Sequence, residues 1–270
     1  MKKQSKHVIT QFPTCYVHSA KHDTSKFSDE MLYILQNAST GSPIKFTPSA
    51  KVVVLGDAGI GKTSLITRIN SGEFTSDYKS TVGVDFVFVD YSVYDRSFRL
   101  CLWDTAGQER FVSITRAYLR GTNVALLVFD ASDIESLNSL RKWHNCVLES
   151  LGANSLPLFF VVGTKTDKIS DVWSIPQKSS LKLLNREEEA KIIANDLNAE
   201  LWMTSSKYDY NVSNLFARIA AVSMAESGVS LFQTDKVPQL LKNETSSSSK
   251  LRLKPYPCDT TIRKHPCSCS

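Results

Sequence analysis

The stretch GDAGIGKT, residues 56–63, decides how this chain is read. It follows the apolar run KVVVL at 51–55 and leads into a helical pattern over 62–71, so a glycine-rich turn joins a strand to a helix. In that setting the spacing G-x-x-x-x-G-K-[ST] has a physical meaning. The backbone N–H groups of such a turn point inward at a polyphosphate, and the helix N-terminus adds the positive end of its dipole. Lys62 reaches the outer phosphates and Thr63 offers a hydroxyl to Mg²⁺. The whole loop, Asp57, Ala58, Gly59, Ile60, Gly61, Lys62, Thr63 and Ser64, is expected to bind the nucleotide.

Outward from this turn, short β-rich runs alternate with helical periodicity. The runs are KVVVLG, FVFVDYSVY, RLCLWD, VALLVFD, LPLFFVVG and ELWMTSS; the helical stretches are 62–71, 134–151, 187–198 and 212–226. This alternation predicts an α/β fold of three layers, a mainly parallel six-stranded sheet with helices on both faces. Runs 86–94 and 99–104 are too close for a crossover helix and are expected to pair as an antiparallel hairpin at one edge.

The folded domain is expected at 49–228. Residues 1–48 are polar, hold Pro13, Pro43 and Pro48, and read as a mostly disordered arm with one helix-like patch, FSDEMLYILQNA. Residues 229–270 read as a flexible tail. The formal charge of +5 is modest and weighted to the two ends. No apolar run has the length of a signal peptide or a membrane span, so a cytoplasmic protein is expected. The six cysteines are scattered or crowded at the end and make no disulfide framework.

Two further elements carry chemistry. WDTAGQE at 103–109 ends a strand in a carboxylate, Asp104, placed to hold Mg²⁺. Gly107 then offers an N–H to a terminal phosphate, and Gln108 can orient a water. Upstream, Thr81 in YKSTVGVDF can complete the metal shell only while a γ-phosphate is present. Phosphoryl transfer asks for positioning and charge neutralisation rather than a strong base, so Lys62, Thr81 and Gln108 are the expected catalytic residues.

With these motifs in place the chain resembles the Ras superfamily of small GTPases over about 50–226, and within it the Rab family. The general elements are GDAGIGKT, Thr81, WDTAGQE, TKTD at 164–167 and SSK at 205–207; the Rab-like ones are VGVDF, RLCLW, RFVSIT and YLRGT. The long arm resembles the Rab subgroup linked to Golgi, lysosome positioning, macropinosomes and cilia. TKTD followed by an extra segment is also similar to the Rho family, which lacks RFxSIT.

The resemblance implies a P-loop small-GTPase fold, bound GTP or GDP, Mg²⁺, and slow hydrolysis of GTP to GDP and phosphate. Asp167 then pairs with guanine N–H groups, the Lys165 stem covers the ring, Phe74 packs on its edge, and Ser205, Ser206 and Lys207 line it. Thr164 stands where the family carries an asparagine, which implies guanine specificity with weakened affinity. Phe86, Trp103 and Tyr118 match the aromatic trio presented to effectors. Cys267 and Cys269 match the prenylated end of Rabs, displaced by one residue because Ser270 follows. Implied partners are an exchange factor, a GTPase-activating protein, effectors and the cytosolic face of Golgi or endolysosomal membranes. A monomer without a nucleic-acid partner is expected. A GTP-binding scaffold with negligible turnover and an ATP-dependent P-loop kinase are the alternatives.

Overall fold

The run SAKVVVL forms the central strand, and its two faces are dry because its side chains alternate between two separate cores. Val52 and Val54 join one apolar cluster, whereas Val53 and Leu55 join the other. We describe residues 7–11, 13–17, 48–77, 81, 83–93, 96–105, 118–152, 156–169 and 176–231 of a computed structural model. These residues lie within the unit Met1–Phe232.

The strands are β1 (His7–Ile9), β2 (Ser49–Leu55), β3 (Val84–Val93), β4 (Arg96–Thr105), β5 (Val124–Asp130), β6 (Leu158–Thr164) and β7 (Ala199–Met203). The helices are α1 (Lys62–Ser71), α2 (Ile134–Asn138), α3 (Leu140–Leu151), α4 (Pro176–Asp196) and α5 (Val212–Leu231). The sheet runs β1-β3-β4-β2-β5-β6-β7. Only the β3–β4 pair is antiparallel, from Val84 opposite Thr105 to Val93 opposite Arg96. All other neighbours are parallel.

Residues of α1 and α5, such as Leu65, Ile69, Phe216 and Ile219, cover one face. Residues of α2, α3 and α4, such as Leu137, Trp143, Val147 and Ile193, cover the other. Every residue of β5 is buried, as a strand covered on both sides must be.

The expectation of six strands with the antiparallel strand at the edge needs correction. The sheet has seven described strands, and β1, from the 1–48 arm, lies outside β3. Its HVI triplet carries no turn signals or length that would mark a strand; only the open edge of β3 gives it a partner. The helical pattern at 134–151 divides at Ser139, which ends α2 and starts α3. Helix α4 starts well before residue 187, with Pro176 at its first position, where a missing N–H costs nothing.

Candidate functional site

The order in which strands are added reverses at β2: β4 lies on one side and β5 on the other, all three parallel, so the carboxyl end of β2 opens into a crevice of the kind where α/β sheets bind ligands. The turn after β2 fills that crevice. Gly56 has φ +144°, and a Cβ there would stand 2.3 Å from the Val128 carbonyl oxygen, so no other residue fits. Gly61 caps α1 with φ 103°, again a conformation that favours glycine. The Lys62 ammonium folds back over the loop and donates to the carbonyls of Gly56 at 2.9 Å and Asp57 at 2.7 Å. Burial lowers the Lys62 pKa to about 8, although Asp104 and Asp57 pull the other way.

The side chain of Asp57 points away from the loop interior. Its carboxylate accepts from Ser139 Oγ at 2.5 Å and from Trp143 Nε1 at 2.9 Å, which ties the turn to the start of α3.

Three oxygen-bearing side chains converge at the start of α1. Thr63 Oγ1 lies 2.8 Å from Thr81 Oγ1 and donates to Asp104 Oδ2 at 2.6 Å. Thr81 Oγ1 is 3.5 Å from the same carboxylate oxygen. Asp104 is 4% exposed, and its Oδ1 is buried without a hydrogen-bond partner among the described residues. Burial raises its pKa, and the Thr63 bond, Lys62 and the Thr81 bond oppose that rise. A buried carboxylate oxygen without a partner, beside two hydroxyls, suits a hard cation that takes oxygen ligands. Thr63, Thr81 and Asp104 therefore fit Mg²⁺.

The opposite wall comes from the ends of β5, β6 and β7. Thr164 is buried, with Oγ1 at 2.5 Å from the Ile60 carbonyl and 3.0 Å from the Phe129 carbonyl. One hydroxyl proton serves both acceptors. Lys165 adopts φ 55°, and its Nζ reaches the Gly59 carbonyl at 2.6 Å and Asp130 Oδ2 at 2.8 Å. Burial works against the charge of Asp130, but the bonds from Lys165 and Ser132 prevail and hold it below the usual carboxylate range. Asp167 sits in the short 3-10 turn Thr166–Lys168 and accepts from Ser205 Oγ at 2.5 Å. Arg68 of α1 donates to the carbonyls of Ser206 at 2.6 Å and Lys207 at 3.2 Å. The two halves of the crevice are thus bonded to each other at three places.

Phe74 follows α1 and is 38% exposed. On the hairpin, Phe86 and Trp103 face each other with centroids 5.9 Å apart, and Tyr118 lies 5.8 Å from Trp103. Lys51 Nζ stands 4.3 Å over the Trp103 ring. Gly107, Gln108, Cys267 and Cys269 lie outside the described residues, as does the helix-like patch at 27–38.

Ser139, Trp143, Arg68 and Asp130 escape a motif reading. Trp143 and Ser139 look like an ordinary core residue and an ordinary helix start, and nothing in the sequence joins them to Asp57.

The Ras family profile matches residues 51–225. Ras-related protein Rab-36 of Mus musculus is 37% identical over 221 residues, which cover 82% of this chain and 78% of that protein. Rab-36 of Homo sapiens is 32% identical over 263 residues, covering 97% and 92% respectively. Rab-34 of Mus musculus is 36% identical over 217 residues, 80% of this chain and 79% of the relative. The chain belongs to the Rab branch of the Ras family. As a Rab it is a small GTPase of vesicle trafficking that binds guanine nucleotide, with an extension before its Ras-family segment. No helix among the described residues of this Rab is long and apolar enough to cross a membrane.

Proposed function

We propose that this Rab is a nucleotide-operated switch that binds GTP, hydrolyses it slowly and recruits effectors to intracellular membranes while GTP is bound. The observation that carries the reading is the meeting of Thr63, Thr81 and Asp104, with an orphaned carboxylate oxygen, at the N-terminus of the helix that follows the glycine turn. The turn and α1 bind the phosphates through backbone N–H groups, and the Lys62 ammonium exchanges its two carbonyl partners for phosphate oxygens. Asp167 accepts from the guanine edge, with Ser205 holding its carboxylate in place. Rejecting a mispaired edge supports discrimination of about 10⁴. Phe74, the Lys165 stem, Ser206 and Lys207 complete the base pocket, and Gln108 orients the attacking water.

When bound, Mg²⁺ supplies neutralisation of the charge that spreads over the terminal phosphate oxygens. Thr81 and the Gly107 region are held while the γ-phosphate is present and released after it leaves, so the order of these loops is the signal. Without help, turnover on the order of 10⁻⁴ s⁻¹ is expected, which calls for activating and exchange proteins. Phe86, Trp103 and Tyr118 form the effector surface, and membrane attachment falls to Cys267 and Cys269.

Chromatography of the nucleotide that co-purifies tests the base assignment: GDP or GTP is expected, and adenine nucleotide would overturn it. Single-turnover phosphate release then separates a slow GTPase from a GTP-binding scaffold. Loss of release in Gln108→Leu is expected, and absence of release from the wild type would leave the scaffold. Intact mass after expression in a eukaryotic cell reads prenylation at the two cysteines directly.

A further inference from the structure

The nucleotide site makes no use of the arm that precedes β2, yet part of that arm is built into the molecule. Strand β1 lies parallel on β3, with His7 opposite Tyr91, Val8 opposite Ser92 and Ile9 opposite Val93. Ile9 is 5% exposed and belongs to the same core cluster as Val89, Tyr91 and Val93. The His7 ring stacks on Tyr91 with centroids 5.0 Å apart. Further along, the Pro13 carbonyl accepts from Arg218 Nη1 at 3.0 Å. The same guanidinium bonds Glu200 through Nε and Nη2, both at 3.1 Å. Tyr16 ends the stretch: its ring stacks on Trp202 at 5.8 Å, and its hydroxyl donates to Glu187 Oε2 at 3.2 Å. Trp202 is in β7, so the arm reaches from one outer strand of the sheet to the other.

We propose that the Tyr91–Val93 edge, Arg218 and the Trp202–Glu187 corner form a binding track for an extended peptide, and that the arm occupies this track in cis as a detachable ligand. The contacts are those of strand addition: main-chain pairing supplies adhesion, and pockets for separated side chains supply selectivity. The pattern read by the track is an aliphatic residue, a carbonyl four positions later and a tyrosine three beyond that. Detachment follows from how little holds the strand. Strand β1 has three residues, and Val8 between its two anchored neighbours is 66% exposed. Segments with few buried contacts open at free energies far below that of the whole fold. Release uncovers the end of β3, the strand whose other half carries Phe86, so occupancy of the track acts on the effector strand without touching the nucleotide.

The test uses the full chain. In full-length Ile9→Asp/Tyr16→Ala the track is empty, and a synthetic peptide of residues 6–17, KHVITQFPTCYV, is expected to bind it by calorimetry. Wild-type protein is expected to bind the peptide at least tenfold more weakly, because its own arm competes. A peptide carrying the same two substitutions is expected to bind neither. No binding to the variant while it still binds GDP, or equal binding to variant and wild type, overturns the proposal. Should the variant fail to bind GDP, hydrogen exchange on the wild type decides: the Val8 and Ile9 amides are expected to exchange well before those of β5. Exchange of both sets together would show that the arm is not detachable.

Discussion

Thr164 shows how one side chain can tie two loops of the crevice together. Its single proton is shared between the carbonyls of Ile60 and Phe129, so it ties the base loop to the phosphate loop with half the donor capacity of an amide. Thr164→Asn is expected to tighten GDP binding by about fivefold, the equivalent of one net hydrogen bond near 1 kcal/mol. Titration with radiolabelled GDP checks this, and unchanged affinity would remove the tether from the account. Asp167→Asn is expected to shift preference from GDP toward xanthosine diphosphate, and competition binding reads the change. Trp143→Phe keeps the apolar bulk but takes one donor from the Asp57 carboxylate. A loss of about 1.5–3 kcal/mol is expected in urea denaturation, the usual worth of a bond to a charged group. The placement of Thr164, Asp167 and Lys62 around one crevice was legible because fixed spacing marks them. That of Ser139 and Trp143 was not, because it depends on α3 lying against a loop more than 80 residues away in the chain.

Among the elements, α3 carries a titratable group packed on the sheet. His144 lies against Phe159 with centroids 4.5 Å apart, and burial lowers its pKa, with a smaller opposing bond from Asn145. The folded chain therefore binds fewer protons here than the unfolded chain once the pH drops below the imidazole's ordinary value near 6.5. Stability from this group is present above that value and is lost as the pH falls through the lower, folded one. His144→Phe is expected to flatten part of the decline between pH 7 and pH 5, and denaturant midpoints across that range test the sign. Helix α5 carries the opposite case, a charge kept by its partner. Arg218 and Glu200 are 3% and 0% exposed as side chains. Glu200→Leu strands a buried cation, and a cost of about 3–5 kcal/mol is expected. Replacing both by apolar residues is expected to restore most of it. Element boundaries followed periodicity in the β-runs and missed the start of α4, whose stretch 176–186 is too polar to show an apolar stripe.

At the scale of the molecule, the three layers were legible because alternation of strand and helix leaves few ways to cover a sheet twice. The seventh strand was not, because a triplet such as HVI becomes a strand only by meeting an open edge. The same principle governs the crevice: cross-links from Arg68, Thr164 and Lys165 join loops whose proximity no local pattern announces. The Trp143 contact has one more consequence. An indole whose N–H rests on a carboxylate in the phosphate loop is an intrinsic fluorophore wired to that loop, 1% exposed and so shielded from solvent quenchers. The chain has four tryptophans, and replacing the other three, Trp103, Trp173 and Trp202, by phenylalanine leaves a single emitter. Its emission is expected to change when nucleotide enters or leaves the proposed site, and titration of this variant with GDP checks it with no dye attached.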